Sequence, residues 1–202
     1  MDYTKRYKIC VSGAAALDPC SPNAKELAKE VGRQIVKQGA ILLTGATTGI
    51  PYWSAVGAKE VGGVSLGFSP ATTEKEHIKV YHLPTDAFDL IVYTGFGYAG
   101  RNLLLTRAAD AVVTICGRMG TLNEFTIAFE DKKPIGVLEG SGGTADKIDF
   151  LLKGGYRGPK RVIGSSNPEA LVKALIKMVK QEKDHNHKLT KGRKKKSAKG
   201  GA

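Results

Sequence analysis

Between Gly117 and Glu124 the chain reads Gly-Arg-Met-Gly-Thr-Leu-Asn-Glu, a spacing that suits anion binding at the start of a helix. Gly117 and Gly120 permit a tight turn and a close backbone approach. Thr121 is placed to cap the following helix, with Glu124 three residues on at the capping-box position. The first free N–H groups of that helix, aided by its dipole, then favour a negative charge in front of them. Taken alone, the Thr121–Glu124 spacing is equally a plain capping box, so both readings stand. Upstream, Arg101-Asn102 follows a turn at Gly95, and a guanidinium has the fixed fork needed to hold a carboxylate or a sugar hydroxyl. Ser12-Gly13-Ala14-Ala15 and Thr44-Gly45-Ala46-Thr47-Thr48-Gly49 supply two more turns of small residues, beside which a phosphate or a sugar fits.

Strands and helices must position these groups. Apolar runs at Lys8–Val11, Ala40–Leu43, Gly63–Phe68, Asp89–Thr94, Ala111–Ile115, Ile135–Leu138 and Arg161–Ile163 make seven strand candidates. Helical spacing separates them. A helix capped at Ser21 with Pro22 at its first position runs to about Gln38, carrying Leu27, Val31 and Ile35 on its buried stripe. Others are predicted from Pro51 to Glu60, Arg101 to Ala109, Thr121 onward, Thr144 to Leu152, and from an Asn167-Pro168 cap to about Val179. The polar stretch Glu74–Phe88 reads as a loop whose histidines, His77 and His82, are solvated. Trp53 is expected in the core or at a subunit contact. Buried strands alternating with amphipathic helices give an α/β, Rossmann-like, doubly wound and mainly parallel sheet of about seven strands, with helices on both faces. Ligands of such sheets lie outside the carboxyl ends of the strands, which gathers Gly95, Arg101, Gly117, Gly120, Thr121 and Glu124 around one crevice.

The chain has 202 residues, enough for one domain with a substantial core. Of its net charge of +12, residues 183–202 carry +7, from eight Lys or Arg against one Asp. That segment lacks apolar periodicity, so residues 1–182 are expected to form the domain and 183–202 a disordered basic tail that binds polyanions weakly. Three cysteines (Cys10, Cys20 and Cys116) form neither a disulfide framework nor a metal pair, and Cys10 and Cys116 are expected as plain core residues in a reducing cytoplasm. No metal site is expected, since His77, His82, His185 and His187 lack ligating partners at suitable spacing. No apolar run approaches the roughly 18 residues of a membrane span.

The segment CGRMGTLNE, Cys116 to Glu124, resembles the PGGxGTxxE motif of the LOG ("lonely guy") family, once mislabelled lysine decarboxylases. The resemblance extends upstream to Arg101-Asn102 and the early glycine turns, and downstream from Ala128 to Leu138. The same superfamily includes molybdenum cofactor carrier proteins, and Arg101-Asn102 is more similar to that branch, since hydrolase members usually show Arg-Lys. Two positions depart from the motif: Cys116 stands in place of proline and Arg118 in place of the second glycine. Arg118 either crowds the approach of a phosphate or supplies a cation of its own. The resemblance implies a nucleotide site formed by Ser12, Gly13, Gly45, Gly95, Asn102, Gly117, Arg118, Gly120 and Thr121, with Glu124 and Arg101 as catalytic residues. The implied reaction is hydrolysis of a nucleoside 5′-monophosphate to free base and ribose 5-phosphate, with Glu124 beneath the carbon that develops oxocarbenium character. The alternative is a non-catalytic carrier of a phosphorylated pterin or a nucleotide. No cofactor is required by the first; a bound nucleotide or molybdopterin-type ligand belongs to the second. Relatives form homodimers or larger oligomers, and the same is expected here.

Overall fold

The computed structural model describes residues 3–155 and 161–197, with side chains as far as Lys183. Its core is one sheet of seven strands in the order β4-β3-β2-β1-β5-β6-β7. The strands are β1 (Lys8–Gly13), β2 (Ile41–Thr44), β3 (Ser65–Ser69), β4 (Leu90–Tyr93), β5 (Ala111–Ile115), β6 (Ile135–Leu138) and β7 (Val162–Ser165). Every neighbouring pair is parallel, with Ile9 beside Leu42 on one flank and Ala111 on the other. The chain winds outward from β1 to β4, returns to β5 beside β1, and winds outward again. The β1/β5 boundary is therefore the point where the winding reverses, and the exits of these two strands bound a crevice.

Side chains alternate across this sheet and feed two cores. Ile9, Val11, Leu42, Val113 and Ile115 face one side, where they pack with Val31 and Ile35 of α1 (Ala24–Lys37), Ala55 and Ala58 of α2 (Ile50–Glu60), and Leu171 and Leu175 of α7 (Pro168–Ser197). Cys10, Leu43, Val112 and Ile135 face the other, against Leu105 of α4 (Gly97–Ala108), Phe125 and Ala128 of α5 (Met119–Glu130), and Ile148 of α6 (Ile148–Gly154). Each fully buried Ile or Leu contributes about 1.5–3 kcal/mol. The doubly wound sheet predicted from the sequence is the fold observed.

Several local expectations are corrected. The helix predicted to start after Ser21 begins at Ala24. The Ser21 carbonyl first accepts the Ala24 N–H in a turn, and its hydroxyl bonds Asn23. The polar stretch predicted as a loop contains α3 (Glu74–Lys79), capped by the Thr73 hydroxyl, which accepts the Glu76 N–H. His77 on that helix is fully buried rather than solvated: its Nδ1 is 2.8 Å from Ser69 Oγ and its Nε2 3.0 Å from the Pro84 carbonyl oxygen. Helix α4 starts at Gly97, ahead of the predicted Arg101, and Leu104 on it is exposed while Leu105 is buried. Trp53 packs partly buried against the core, with the Lys25 ammonium 4.0 Å from its ring centroid.

The cysteine reading is overturned at one position. Cys10 is a free, buried residue, but Cys116 is disulfide-bonded to Cys20, with their Cα atoms 5.3 Å apart. A bridge between loops 96 residues apart in sequence leaves no spacing signature for the sequence to show. Asn167 caps α7 as predicted, accepting the Ala170 N–H at 2.9 Å. The backbone of that helix runs on to Ser197, into the segment expected to be disordered, and Lys183 lies against the domain, 3.1 Å from Asp110. Side chains beyond Lys183, His185 and His187 among them, and residues 198–202 lie outside the described residues.

Candidate functional site

A cleft of about 330 Å³ opens at the β1/β5 reversal, lined by Val11, Gly13, Ala14, Ala15, Gly45, Thr47, Pro51, Tyr98, Arg101, Asn102, Arg118, Gly120, Thr121 and Glu124. Its walls are the exit of β1, the turn between β2 and α2, the first turns of α4, and the β5–α5 turn with the start of α5. Such volume falls within the usual range for a small-molecule site.

At its centre lies Glu124, only 6 % exposed. Its Oε2 accepts a hydrogen bond from the Ser12 hydroxyl, and its Oε1 is 3.3 Å from Arg101 Nη1. The Asn102 amide, oriented with its nitrogen toward Glu124, donates to Oε1 at 2.9 Å and to the Tyr98 carbonyl at 3.0 Å. Three side chains from β1 and α4 thus converge on one carboxylate of α5. Burial pushes the Glu124 carboxyl above the usual range, while Arg101 and the Ser12 bond pull it back only in part. Arg101 is itself 6 % exposed, and its Nε makes no hydrogen bond among the described residues. The guanidinium reaches Glu124 by passing over Gly45: a Cβ there would sit 1.8 Å from Arg101 Nη1. Gly45 is therefore required for close approach to a neighbouring side chain.

The β5–α5 turn differs from the capping box predicted for it. Helix α5 begins at Met119 with Arg118 as its N-cap, and the Leu122 N–H makes the first helical bond, to the Arg118 carbonyl. Thr121 is inside the first turn, and Glu124 does not reach back to cap the helix; it is spent on Ser12 and Arg101 instead. The N–H groups of Met119, Gly120 and Thr121 precede the first helical bond, as an anion-binding helix start requires. Gly117 turns with φ +104°, and a Cβ on it would meet the Thr121 side chain at 2.5 Å and Thr144 Oγ1 at 2.7 Å. The exposed Arg118 side chain stands on the cleft lining beside these N–H groups, the position of a cation at the rim.

Of the residues singled out from the sequence, Gly13, Gly45, Arg101, Asn102, Arg118, Gly120, Thr121 and Glu124 meet in this cleft. Ser12 and Gly117 lie behind it, one bonding Glu124 and the other shaping the turn. Gly95 does not line it. It turns with φ +70° against Thr72, at the exit of the edge strand β4, two strands beyond β2. Tyr98 escaped notice because the helix of Arg101 begins earlier than predicted; placed three residues before Arg101, it faces the same cleft, with its ring 5.9 Å from Arg101 Cζ. Thr47 and Pro51 belong to the second glycine turn and its helix start, where position in the turn was the available signal. Among the described residues, no group of three His, Cys, Asp or Glu is arranged to hold a metal ion. No helix there is long and apolar enough to cross a membrane.

The profile of the SLOG cluster4 family matches residues 6–172. An uncharacterised protein of Archaeoglobus fulgidus is 28 % identical over 132 residues, spanning 65 % of this chain and 82 % of its own. Among solved structures, the molybdenum cofactor binding protein of Rippkaea orientalis superposes with a TM-score of 0.70 at 25 % identity, covering 87 % of this chain and 99 % of its own. The Moco carrier protein of Chlamydomonas reinhardtii gives a TM-score of 0.65 at 30 % identity, covering 87 % and 98 %.

Proposed function

The chain belongs to the SLOG cluster4 family, and from that premise we propose that it binds a phosphorylated pterin or nucleotide in the cleft and carries it without cleaving it. One observation carries this reading: both oxygens of Glu124 are already engaged, by Ser12 on one side and by Arg101 and Asn102 on the other. A carboxylate held that way is fixed in place and orders the cleft floor, with most of its acceptor sites already taken. The phosphoryl group rests on the N–H groups of Gly120 and Thr121 at the start of α5, where charge-assisted bonds are strong. Arg118 adds a cation at the rim. The likeness to a molybdenum cofactor binding protein and a Moco carrier supports a molybdopterin-type ligand over a bare nucleotide.

A second reading is kept because burial raises the Glu124 carboxyl, a property suited to acid–base work. In that reading Glu124 and Arg101 are catalytic, and the substrate is a nucleoside 5′-monophosphate. The N-glycosidic bond breaks, the hydroxyl of a water adds at the sugar carbon while its proton ends on the departing base, and free base and ribose 5-phosphate leave. Chromatography of AMP, GMP, CMP, UMP and IMP after incubation with the protein separates the two. No free base, together with saturable binding of a nucleotide or a pterin phosphate, is the carrier outcome. Base released by the wild type and lost in Glu124→Gln is the hydrolase outcome.

The homo-oligomer and the cytoplasmic site of action are part of the same proposal. Leu90 and Val92 on the edge strand β4, with Phe96, Tyr98, Leu103 and Leu104 around α4, present exposed apolar side chains that a second copy would cover. Sedimentation of the wild type against Leu104→Glu tests this, the variant shifting toward monomer. Weak polyanion binding by the basic C-terminal segment is tested by removing residues 184–202, which leaves the Lys183–Asp110 pair in place.

A further inference from the structure

We propose that the Cys20–Cys116 disulfide is a redox switch on the cleft: bridged, it holds the β5–α5 turn in its ligand-ready shape, and opened by a dithiol reductant it lets that turn loosen. The bridge joins two walls of the cleft. Cys116 is the first residue after β5, two positions before Arg118, and Cys20 lies in the β1–α1 loop, whose first residues, Ala14 and Ala15, line the opposite side.

Cys116 depends on its surroundings for its conformation. It adopts φ +52°, a left-handed backbone that residues other than glycine hold only when neighbouring contacts impose it. Those contacts are the covalent bond to Cys20 and the hydrogen bonds of one segment, residues 139–145. The Cys116 N–H donates to Ser141 Oγ at 2.8 Å, its carbonyl accepts the Ala145 N–H at 2.8 Å, and the Gly117 carbonyl accepts the Thr144 N–H at 3.0 Å. The same loop is tied to the Cys20 segment, through the Ser21 N–H to the Ser141 carbonyl at 3.0 Å and the Gly143 N–H to the Pro19 carbonyl at 2.9 Å. Three loops are thus stitched together around one covalent bond, and the phosphate-facing turn is one of them.

The two cysteines are unequally exposed. Cys116 is fully buried, while Cys20 is only partly so. A reductant thiolate therefore attacks the Cys20 sulfur; the S–S bond breaks, and Cys116 leaves as a thiolate that takes up a proton. The second thiol of the reductant then attacks the mixed disulfide, freeing Cys20 as a thiolate, which is likewise protonated. Two electrons pass from the dithiol to the protein, which ends with two thiols, while the dithiol leaves as its own disulfide. Cys10 takes no part. The effect on the loops is independent of what the cleft binds; the effect on ligand rests on the anion reading given above.

The test compares wild type equilibrated with glutathione disulfide, wild type reduced with dithiothreitol, and Cys20→Ser. Alkylation after unfolding should count one free thiol in the first and three in the second. Amide exchange at residues 116–121 and 141–145 should accelerate about ten-fold or more on reduction, with β1 and β5 unchanged, and Cys20→Ser should match the reduced form. Inorganic phosphate, titrated by calorimetry, should bind about ten-fold more weakly to the reduced form, as expected when one molecule in ten has the competent turn. Three free thiols in the oxidised sample, or equal exchange in the two wild-type forms, would overturn the switch. Exchange that responds as stated while phosphate binds neither form would support the switch and count against the anion reading. Because reduction of the wild type needs no substitution, failure of Cys20→Ser to fold would leave the comparison intact.

Discussion

Gly45→Ala tests whether the Arg101–Glu124 pair organises the cleft. The added Cβ falls 1.8 Å from Arg101 Nη1 and 2.7 Å from Cζ, far inside the ~3.5 Å of an ordinary carbon contact. The atoms it meets are the end of a side chain, so the guanidinium yields before the backbone does, by about 1.7 Å at Nη1. That atom is the one facing Glu124 Oε1 at 3.3 Å, and the separation grows to as much as about 5 Å. With an effective dielectric of about 20, the attraction falls from about 5 to about 3 kcal/mol, a loss of about 2 kcal/mol. Glu124 keeps its burial and loses its main counter-charge, so its carboxyl is pushed further up from an already raised position. The linkage sign follows: a carboxyl raised in the fold is penalised where it is ionised, so stability falls as pH rises through its folded-state pKa. The deficit of the variant should be about 2 kcal/mol where Glu124 is ionised and shrink under acidic conditions, where it is protonated in both proteins. With a urea m-value of about 2 kcal/mol per molar, the midpoint drops by about 1 M where Glu124 is ionised. An unchanged midpoint, or a deficit that does not narrow in acid, would refute the idea that Gly45 acts through this pair.

Ser12→Ala removes the hydrogen bond to Glu124 Oε2 and should cost about 1.5–3 kcal/mol where Glu124 is ionised, the range for a bond to a charged group; chemical denaturation checks it. The Glu124 carboxyl should also titrate higher in that variant, which carboxyl-carbon NMR reads directly. Thr73→Ala deletes the cap of α3 and should cost about 1 kcal/mol, with faster amide exchange confined to residues 74–80. Cys10, fully buried and with its thiol pushed well up by burial, should resist alkylation in the native protein and react only on unfolding.

The sheet was legible in the sequence because its inner strands are buried on both faces and stand out as unbroken apolar runs, as Ala111–Ile115 does. Elements were lost where the signal was polar and local. α3 is six residues long and marked only by the Thr73 cap, so a histidine that plugs the core passed for a loop residue. The site residues on glycine turns could be found because turn chemistry is written in residue type. Gly95 shows the limit of that argument: it satisfies its own left-handed turn at the exit of the edge strand β4, away from the cleft. Glu124 was found by spacing and given the wrong local role, since capping geometry depends on where α5 begins, and Arg118, with no capping bond, gives no sign of that start. The Cys20–Cys116 pair was out of reach because only the folded β1/β5 boundary brings the two loops together.

That pairing has a further consequence for how the molecule comes apart. Residues 20–116 form a closed covalent ring that contains β2, β3, β4 and β5 entirely and closes at the residue after β5. A protease cut anywhere inside the ring leaves one particle with two new ends, whereas a cut beyond it, between β6 and β7 for instance, leaves two pieces joined only by packing. The inner strands of one flank are thereby tethered to the middle of the sheet, and the flank carrying β6, β7 and α7 is the part of the molecule that a nick can release.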